Sequence, residues 1–377
     1  MKDEIKHNIL AKRVIALVIL FALAFSVRLA FVSRGVFNHE SLDLVVSAQK
    51  TFVSGILHYA RGADSPLAVL CAGFFINLFK LFGVADPSQG ANFMSVFFGS
   101  VSIILFFLCV EKLLDIKKAF ISALLLSFFG PHIEVSTFAN SLILSMCGYL
   151  ASLLCMLVFQ DNNRKPFLYF SAVFLGLSAA ARFADLVMIL PLAYLFFYSK
   201  TPFSRKPFLF CSFLLVTLLT ASLYYFSLFF EKGISAVTPL LSGMKFLTFQ
   251  GITWMGLLDI FMPEGLILVS VGLSYMLLKN NIRPCIFIII WFLVFQFSYG
   301  ALGAWRFLVA ACVPLIIAQG SFIGEFKSRM FYVSALLACI IGLGGFLRFS
   351  DSLELKRRYH LETDIACEYV MEMESVR

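Results

Sequence analysis

Residues 14–32 read VIALVILFALAFSVRLAFV, with Arg28 the one charged side chain in the run. About 20 predominantly apolar residues are needed to cross a bilayer as an α-helix, and this stretch meets that length. Residues 207–230, PFLFCSFLLVTLLTASLYYFSLFF, repeat the pattern without any charge. A membrane β-barrel would instead alternate apolar and polar positions over roughly ten-residue segments, and these runs do not alternate. The whole chain carries the same signal. Of 377 residues 60% are apolar and 14% charged, with a mean hydropathy of +0.92. A soluble domain holds about 45–50% apolar and about 25% charged residues. A soluble globular enzyme, a disordered chain and a disulfide-stapled secreted domain are therefore excluded. The expected fold is all-α, a polytopic membrane helical bundle.

Apolar runs predict about eleven spans, near 14–32, 93–111, 119–131, 140–160, 166–181, 184–198, 207–230, 262–278, 284–298, 305–320 and 330–347. The first run is too long for a signal-peptide core and lacks a small-residue exit, so it reads as a retained span. A further apolar stretch, 66–83, fits either a crossing or a surface helix. Loop charges arbitrate. If 66–83 does not cross and the N-terminus is cytoplasmic, the inner loops hold Lys112, Lys117, Lys118, Arg164, Lys165, Lys200, Arg205, Lys206, Lys279, Arg283, Lys327 and Arg329. Lys2, Lys6, Lys12 and Arg13 precede the first span on the same side. The short outer loops beyond residue 92 hold only Arg182, Lys232, Lys245 and Arg306. A crossing at 66–83 would reverse this bias, against the positive-inside tendency. The expectation is a multi-pass membrane domain over 1–348. Residues 33–92 form one large external loop with juxtamembrane helices, and 349–377 form a short external amphipathic tail.

The net charge of +8 does not point to nucleic acid, because most Lys and Arg residues sit in these short loops. Nine cysteines show no CxxC spacing, and eight lie in or beside apolar runs, as small buried hydrophobes do.

In a greasy bundle, ionisable groups near the membrane face are expensive and carry the functional information. The first external loop is densest, with Arg34, His39, Glu40, Asp43, Lys50, His58, Tyr59, Arg61 and Asp64. A second group comprises His132, Glu134, Ser136, Thr137 and Asn140. A third is Arg182 with Asp185, and a fourth is Tyr299, Trp305 and Arg306. Carboxylates and cations at a membrane surface suit one task. Cations hold a lipid phosphate through charge-assisted hydrogen bonds, and a carboxylate takes the proton of an attacking hydroxyl. A phosphate-linked sugar would carry its own leaving group, so no nucleotide-binding loop is needed. Neither a Walker A motif nor GxGxxG occurs.

Residues 39–83, HESLDLVVSAQKTFVSGILHYARGADSPLAVLCAGFFINLFKLFG, resemble the first external loop of the GT-C superfamily of polyprenyl-phosphate-sugar-dependent glycosyltransferases. The similarity is to the dolichyl-phosphate-mannose–protein mannosyltransferase-like and aminoarabinose-transferase-like members. It runs through Glu40, Ala48, Gly55, Tyr59, Pro66-Leu67 and Leu81-Phe82-Gly83. EKLLDIKKAFISALLLSFFG resembles the family's basic turn between two spans. GLSAAARFADLVMILPL resembles its Gly–Arg–Pro span pair, through Gly176, Arg182 and Pro191. RFLVAACVPLIIAQG resembles its late R-x7-P span, through Arg306 and Pro314. The resemblance covers most of 14–347. It puts Glu40 where the family has its catalytic Asp, followed by Ser41 instead of a second acid, and Asn140 where the family has a second-loop Asp. The tail ends near where relatives carry a further external domain.

The resemblance implies a GT-C-like fold and transfer of a sugar from a polyprenyl monophosphate to a hydroxyl-bearing protein, lipid or glycan acceptor at the external face. Glu40 is the candidate base, with Asp43 one helical turn on. His39, Arg61, Lys80, His132, Glu134, Asn140, Arg182 and Arg306 are candidates for substrate binding. No zinc-ligand spacing repeats, so no metal site is assigned, while a divalent metal cofactor stays open. Arg28 reads as structural. The alternatives are a transporter or flippase, which should concentrate charge at mid-span and show inverted repeats, and an inactive relative serving as an assembly partner.

Overall fold

In the computed structural model the described residues are 2–59, 65–232, 254–299, 305–325, 333, 336–341 and 344. They form helices and no strands. The chain runs through α1 (Lys2–Ala30), α2 (His39–Ser54), α3 (Pro66–Leu81), α4 (Pro87–Leu113), α5 (Ile116–Ser127), α6 (Gly130–Val135), α7 (Leu142–Asn162) and α8 (Lys165–Ala181). A 3-10 turn (Phe183–Met188) leads into α9 (Ile189–Phe197). A second 3-10 turn (Phe203–Arg205) leads into α10 (Lys206–Lys232). Then follow α11 (Trp254–Leu278), α12 (Ile282–Tyr299) and α13 (Trp305–Ile323). Each predicted span through 305–320 falls on helix. Span 330–347 lies largely outside the described residues, as does the tail 349–377.

Among the described residues four helices are long and apolar enough to cross a membrane by length and composition: 13–30, 87–113, 142–162 and 203–226. Shorter apolar helices accompany them. Burial shows which faces meet lipid. Val14, Ile15, Val18 and Ile19 on α1, and Leu215, Leu218, Leu219 and Leu223 on α10, are exposed large apolar residues. In an integral membrane protein those positions face acyl chains, which are as apolar as leucine. The core lies between α4, α5, α7, α8, α12 and α13, with Phe106, Phe107, Tyr149, Phe159 and Trp291 fully buried.

Local rules set the breaks. The predicted span 119–131 divides into α5 and α6 because Gly130 and Pro131 start a new helix at N1 and N2 after Phe128 and Phe129 leave the ladder. The span 184–198 opens as a 3-10 turn, since Arg182 takes an extended conformation (φ −159°, ψ 108°) that ends α8. Pro66 and Pro87 occupy the first turns of α3 and α4. Gly55 closes α2 in the left-handed region at φ 71°, where a side chain would be strained.

Residues 39–83 form two helices, α2 and α3, joined through residues 55–65 and packed on α4. Their apolar cluster holds Leu44, Val45, Ala48, Ala68, Val69, Ala72, Phe75 and Ile76. Ala91 and Met94 of α4, Ala139, Leu144 and Ala181 complete it.

The bundle has two ends of different character. Arg13 pairs with Glu111, Lys112 with Asp161, and Lys118 with Asp115 and Glu325, which gathers the basic turns at one end. The opposite end carries the residues between α1 and α2, the start of α4, the 136–141 segment and the junction of α8 with its 3-10 turn. We call these the basic end and the site end.

Candidate active site

The site end is assembled from three strands of irregular backbone, each tied down by buried polar side chains. The first leads into α2. Asn38 caps the helix, its Oδ1 accepting from the Ser41 N–H at 2.9 Å and the Ser41 hydroxyl at 3.0 Å. Glu40 is exposed in the first turn, where the positive end of the helix dipole favours a carboxylate. Asp43 follows one turn later and is half-buried. His39 opens the same turn.

The second is residues 136–141, between α6 and α7. Asn140 is buried and serves the backbone. Its Nδ2 donates to the Val135 carbonyl and to the Phe138 carbonyl at 2.8 Å, and its Oδ1 accepts from the Ile143 N–H at 3.3 Å. The Ser41 hydroxyl also donates to the Ala139 carbonyl at 2.8 Å, which joins the start of α2 to this segment. An amide that donates to two carbonyls is not a second carboxylate for a metal ion beside Glu40. Among the described residues no group of three or more His, Cys, Asp or Glu side chains gathers as metal ligands would.

The third is the end of α8. Arg182 is half-buried, and its neighbour Ala181 packs in the same apolar cluster as Leu44, Val45, Ala48 and Ala139. Asp185, fully buried, accepts hydrogen bonds from the Ser145 hydroxyl on α7 and, at 3.4 Å, the Ser178 hydroxyl on α8. The turn that follows Arg182 is thus anchored on both neighbouring helices.

The segments that bear Glu40, Asp43, Asn140 and Arg182 are therefore linked at one end of the bundle, through the Ser41–Ala139 bond and the apolar cluster that includes Ala139 and Ala181. His132 and Glu134 are placed differently. Both are buried on α6. Arg28, with no exposed surface, donates from Nη2 to His132 Nδ1 at 2.7 Å and from Nη1 to the Ala24 carbonyl at 2.8 Å. Guanidinium can only donate, so Nδ1 accepts and the ring proton sits on Nε2, directed at Ser102 Oγ 3.0 Å away. The Ser102 hydroxyl passes its own proton to the Gly99 carbonyl at 2.8 Å. Gly99 makes room for this line, because a Cβ there would strike Ser136 and come within 3.2 Å of Arg28 Nε. His132 is thus tied into the bundle between α1 and α4. Lys80 is exposed in the last turn of α3. Arg306 stands in the first turn of α13, and Arg61 lies outside the described residues.

Reading the sequence does not find Asn92, the side chain with the widest reach at this end. Nor does it pair Arg28 with His132, which lies 104 positions away. The available signal is a polar residue within an apolar run, which needs an internal partner in a membrane.

Comparison with known proteins sets this geometry beside what it is similar to. The family described as dolichyl-phosphate-mannose-protein mannosyltransferase matches residues 64–226. No curated protein matches the sequence. Solved structures share the fold. ArnT from Cupriavidus metallidurans bound to undecaprenyl phosphate superposes with a TM-score of 0.66 at 14% identity, over 94% of this chain and 74% of ArnT. The Archaeoglobus fulgidus oligosaccharyltransferase with zinc and sulfate gives 0.62 at 13% identity, over 92% of this chain and 53% of that one. Archaeal AglB from the same organism, with an inhibitory peptide and a dolichol-phosphate, gives 0.64 at 12% identity, over 90% and 56%. This chain spans about half the length of the archaeal oligosaccharyltransferases.

Proposed function

From a GT-C fold, we propose that this chain is a membrane glycosyltransferase that draws on a polyprenyl-phosphate-linked sugar. The observation that carries the reading is the convergence at one end of an apolar bundle. Glu40 stands on the first turn of α2, which is tied to Ala139 by Ser41 and packs on α3, the helix that in turn meets α8, whose end bears Arg182. Two structural neighbours are bound to undecaprenyl phosphate and dolichol-phosphate, which supports a lipid phosphate as the donor's carrier.

In this reading the Glu40 carboxylate accepts the proton of an acceptor hydroxyl as its oxygen attacks the anomeric carbon. The bond from that carbon to the phosphate oxygen breaks, and the polyprenyl phosphate leaves with the electron pair. Arg182 neutralises the charge that grows on the leaving phosphate, with Arg306, Lys80 and Arg61 as further cations. Attack opposite the leaving group inverts the anomeric centre. Asp43 and His39 flank the base. In this reading the site end faces away from the cytoplasm, the orientation that the loop charges favour. The acceptor is a protein, lipid or glycan hydroxyl.

The test is transfer of sugar from a polyprenyl-phosphate donor by purified protein. Glu40→Gln is expected to lower kcat by about 10²–10⁴-fold, the usual worth of a general base. Turnover equal to wild type would remove Glu40 from this role.

A further inference from the structure

Asn92 lies in the second turn of α4 and has no exposed surface. Its Nδ2 donates to the Ser33 and Gly35 carbonyls, each at 2.9 Å, and its Oδ1 accepts from the Ala139 N–H at 2.8 Å. One amide thus grips two segments remote in sequence, the stretch that leads from α1 into α2 and the stretch between α6 and α7. Two other bonds run between the same segments, from the Ser33 N–H to the Thr137 carbonyl at 2.8 Å and from the Ser41 hydroxyl to the Ala139 carbonyl at 2.8 Å. Both segments are irregular, so neither has a helical ladder to fix its place. A buried amide that satisfies three backbone groups is an expensive feature in an apolar helix, and its partners would stand unpaired without it.

We propose that Asn92 is a positioning residue for sugar transfer. It sets the start of α2 against residues 139–140 and so aims the Glu40 carboxylate at the acceptor. This rests on the glycosyltransferase reading above. Asn92 does not touch the reacting atoms. It acts through Gly35, five residues before Glu40, and through Ala139, the residue that Ser41 also holds. A positional error of about 1 Å at a reacting group is worth up to about 10²-fold in rate. Arg182, the first phosphate ligand of that reading, stands at the end of α8, outside the two segments that Asn92 ties, so the loss should fall on kcat and spare donor affinity.

The experiment uses the full chain in detergent or nanodiscs with a polyprenyl-phosphate sugar. Asn92→Asp keeps the acceptor for Ala139 but turns a carboxylate on two carbonyls, and Asn92→Ala removes all three bonds. Both are expected to lower kcat at least about tenfold while the donor KM stays within about twofold. Ser41→Ala, which cuts one tie, is expected to show the same split at about threefold, and it carries the test if the Asn92 variants do not fold. Hydrogen exchange supplies a readout independent of turnover. Amides of 33–41 and 136–141 should exchange faster together, while 106–113 at the basic end stay as in wild type. Unchanged kcat despite faster exchange would make Asn92 structural only and overturn the proposal. A rise in donor KM matching the fall in kcat would overturn it too, as would exchange rising in one segment alone. Wild-type protein inert towards every polyprenyl-phosphate sugar would sink the transfer reading, and the exchange pattern would still decide whether Asn92 couples the two segments.

Discussion

At the basic end of the bundle, Arg13 meets Glu111 at 2.8 Å, Lys112 meets Asp161 at 2.9 Å and Lys118 meets Glu325 at 3.0 Å. At the site end the backbone is fastened by amides and hydroxyls, from Asn92, Asn140, Asn38 and Ser41, and by the Arg28–His132–Ser102 line. The two solutions respond differently to chemistry. A carboxylate that closes an ion pair loses the tie when it takes a proton. An amide keeps its bonds whatever the charge of its neighbours. Fastening residues 33–41 and 136–141 with neutral amides and hydroxyls lets Glu40 change its protonation during turnover while those two segments stay in place.

The sharpest way to break this comparison is to ask which side each end faces. A reporter fused after Asp115 is expected to report cytoplasm. An external signal would invert the bundle and remove the site from the outer face. Next in size, Arg28→Leu orphans His132 Nδ1 within the bundle and is expected to cost about 1–3 kcal/mol, read as a lowered Tm in detergent. The double variant Arg28→Leu with His132→Leu should recover part of that loss, because both polar partners leave together. Equal Tm values for the single and double variants would show that the pair is not coupled. The smallest effect belongs to the basic end. Lys112 and Asp161 are 34% and 51% exposed, so Lys112→Ala should cost less than about 1 kcal/mol and leave transfer unchanged. A loss comparable to that of Arg28→Leu would erase the distinction between the ends.

How far the sequence carries can be judged from particular residues. The apolar runs locate the helices, since a crossing leaves a run that needs no partner to be recognised, and residues 39–83, expected to carry juxtamembrane helices, form α2 and α3. Arg28 reads as structural from its place inside a span, and its complete burial agrees. The polar group His132–Glu134, by contrast, reads as a substrate-binding candidate near the membrane face and lies buried. Its burial follows from the break at Gly130–Pro131 and from Arg28 on a distant helix, neither of which leaves a periodic signal. Asn92 is hidden for the same reason. Its partners are backbone groups of Ser33, Gly35 and Ala139, and backbone groups look alike in every sequence.

Arg28 also has a history during synthesis. It belongs to α1, which is made before α6, and is translated 104 residues ahead of His132. An arginine at a helix centre costs roughly 2.5–3.5 kcal/mol to insert, and less near the end of a helix, where its long stem reaches the headgroups. Arg28 stands in the last turn of α1. Its bond to His132 can form only once α6 has been made, so the partner that closes this contact comes late relative to α1.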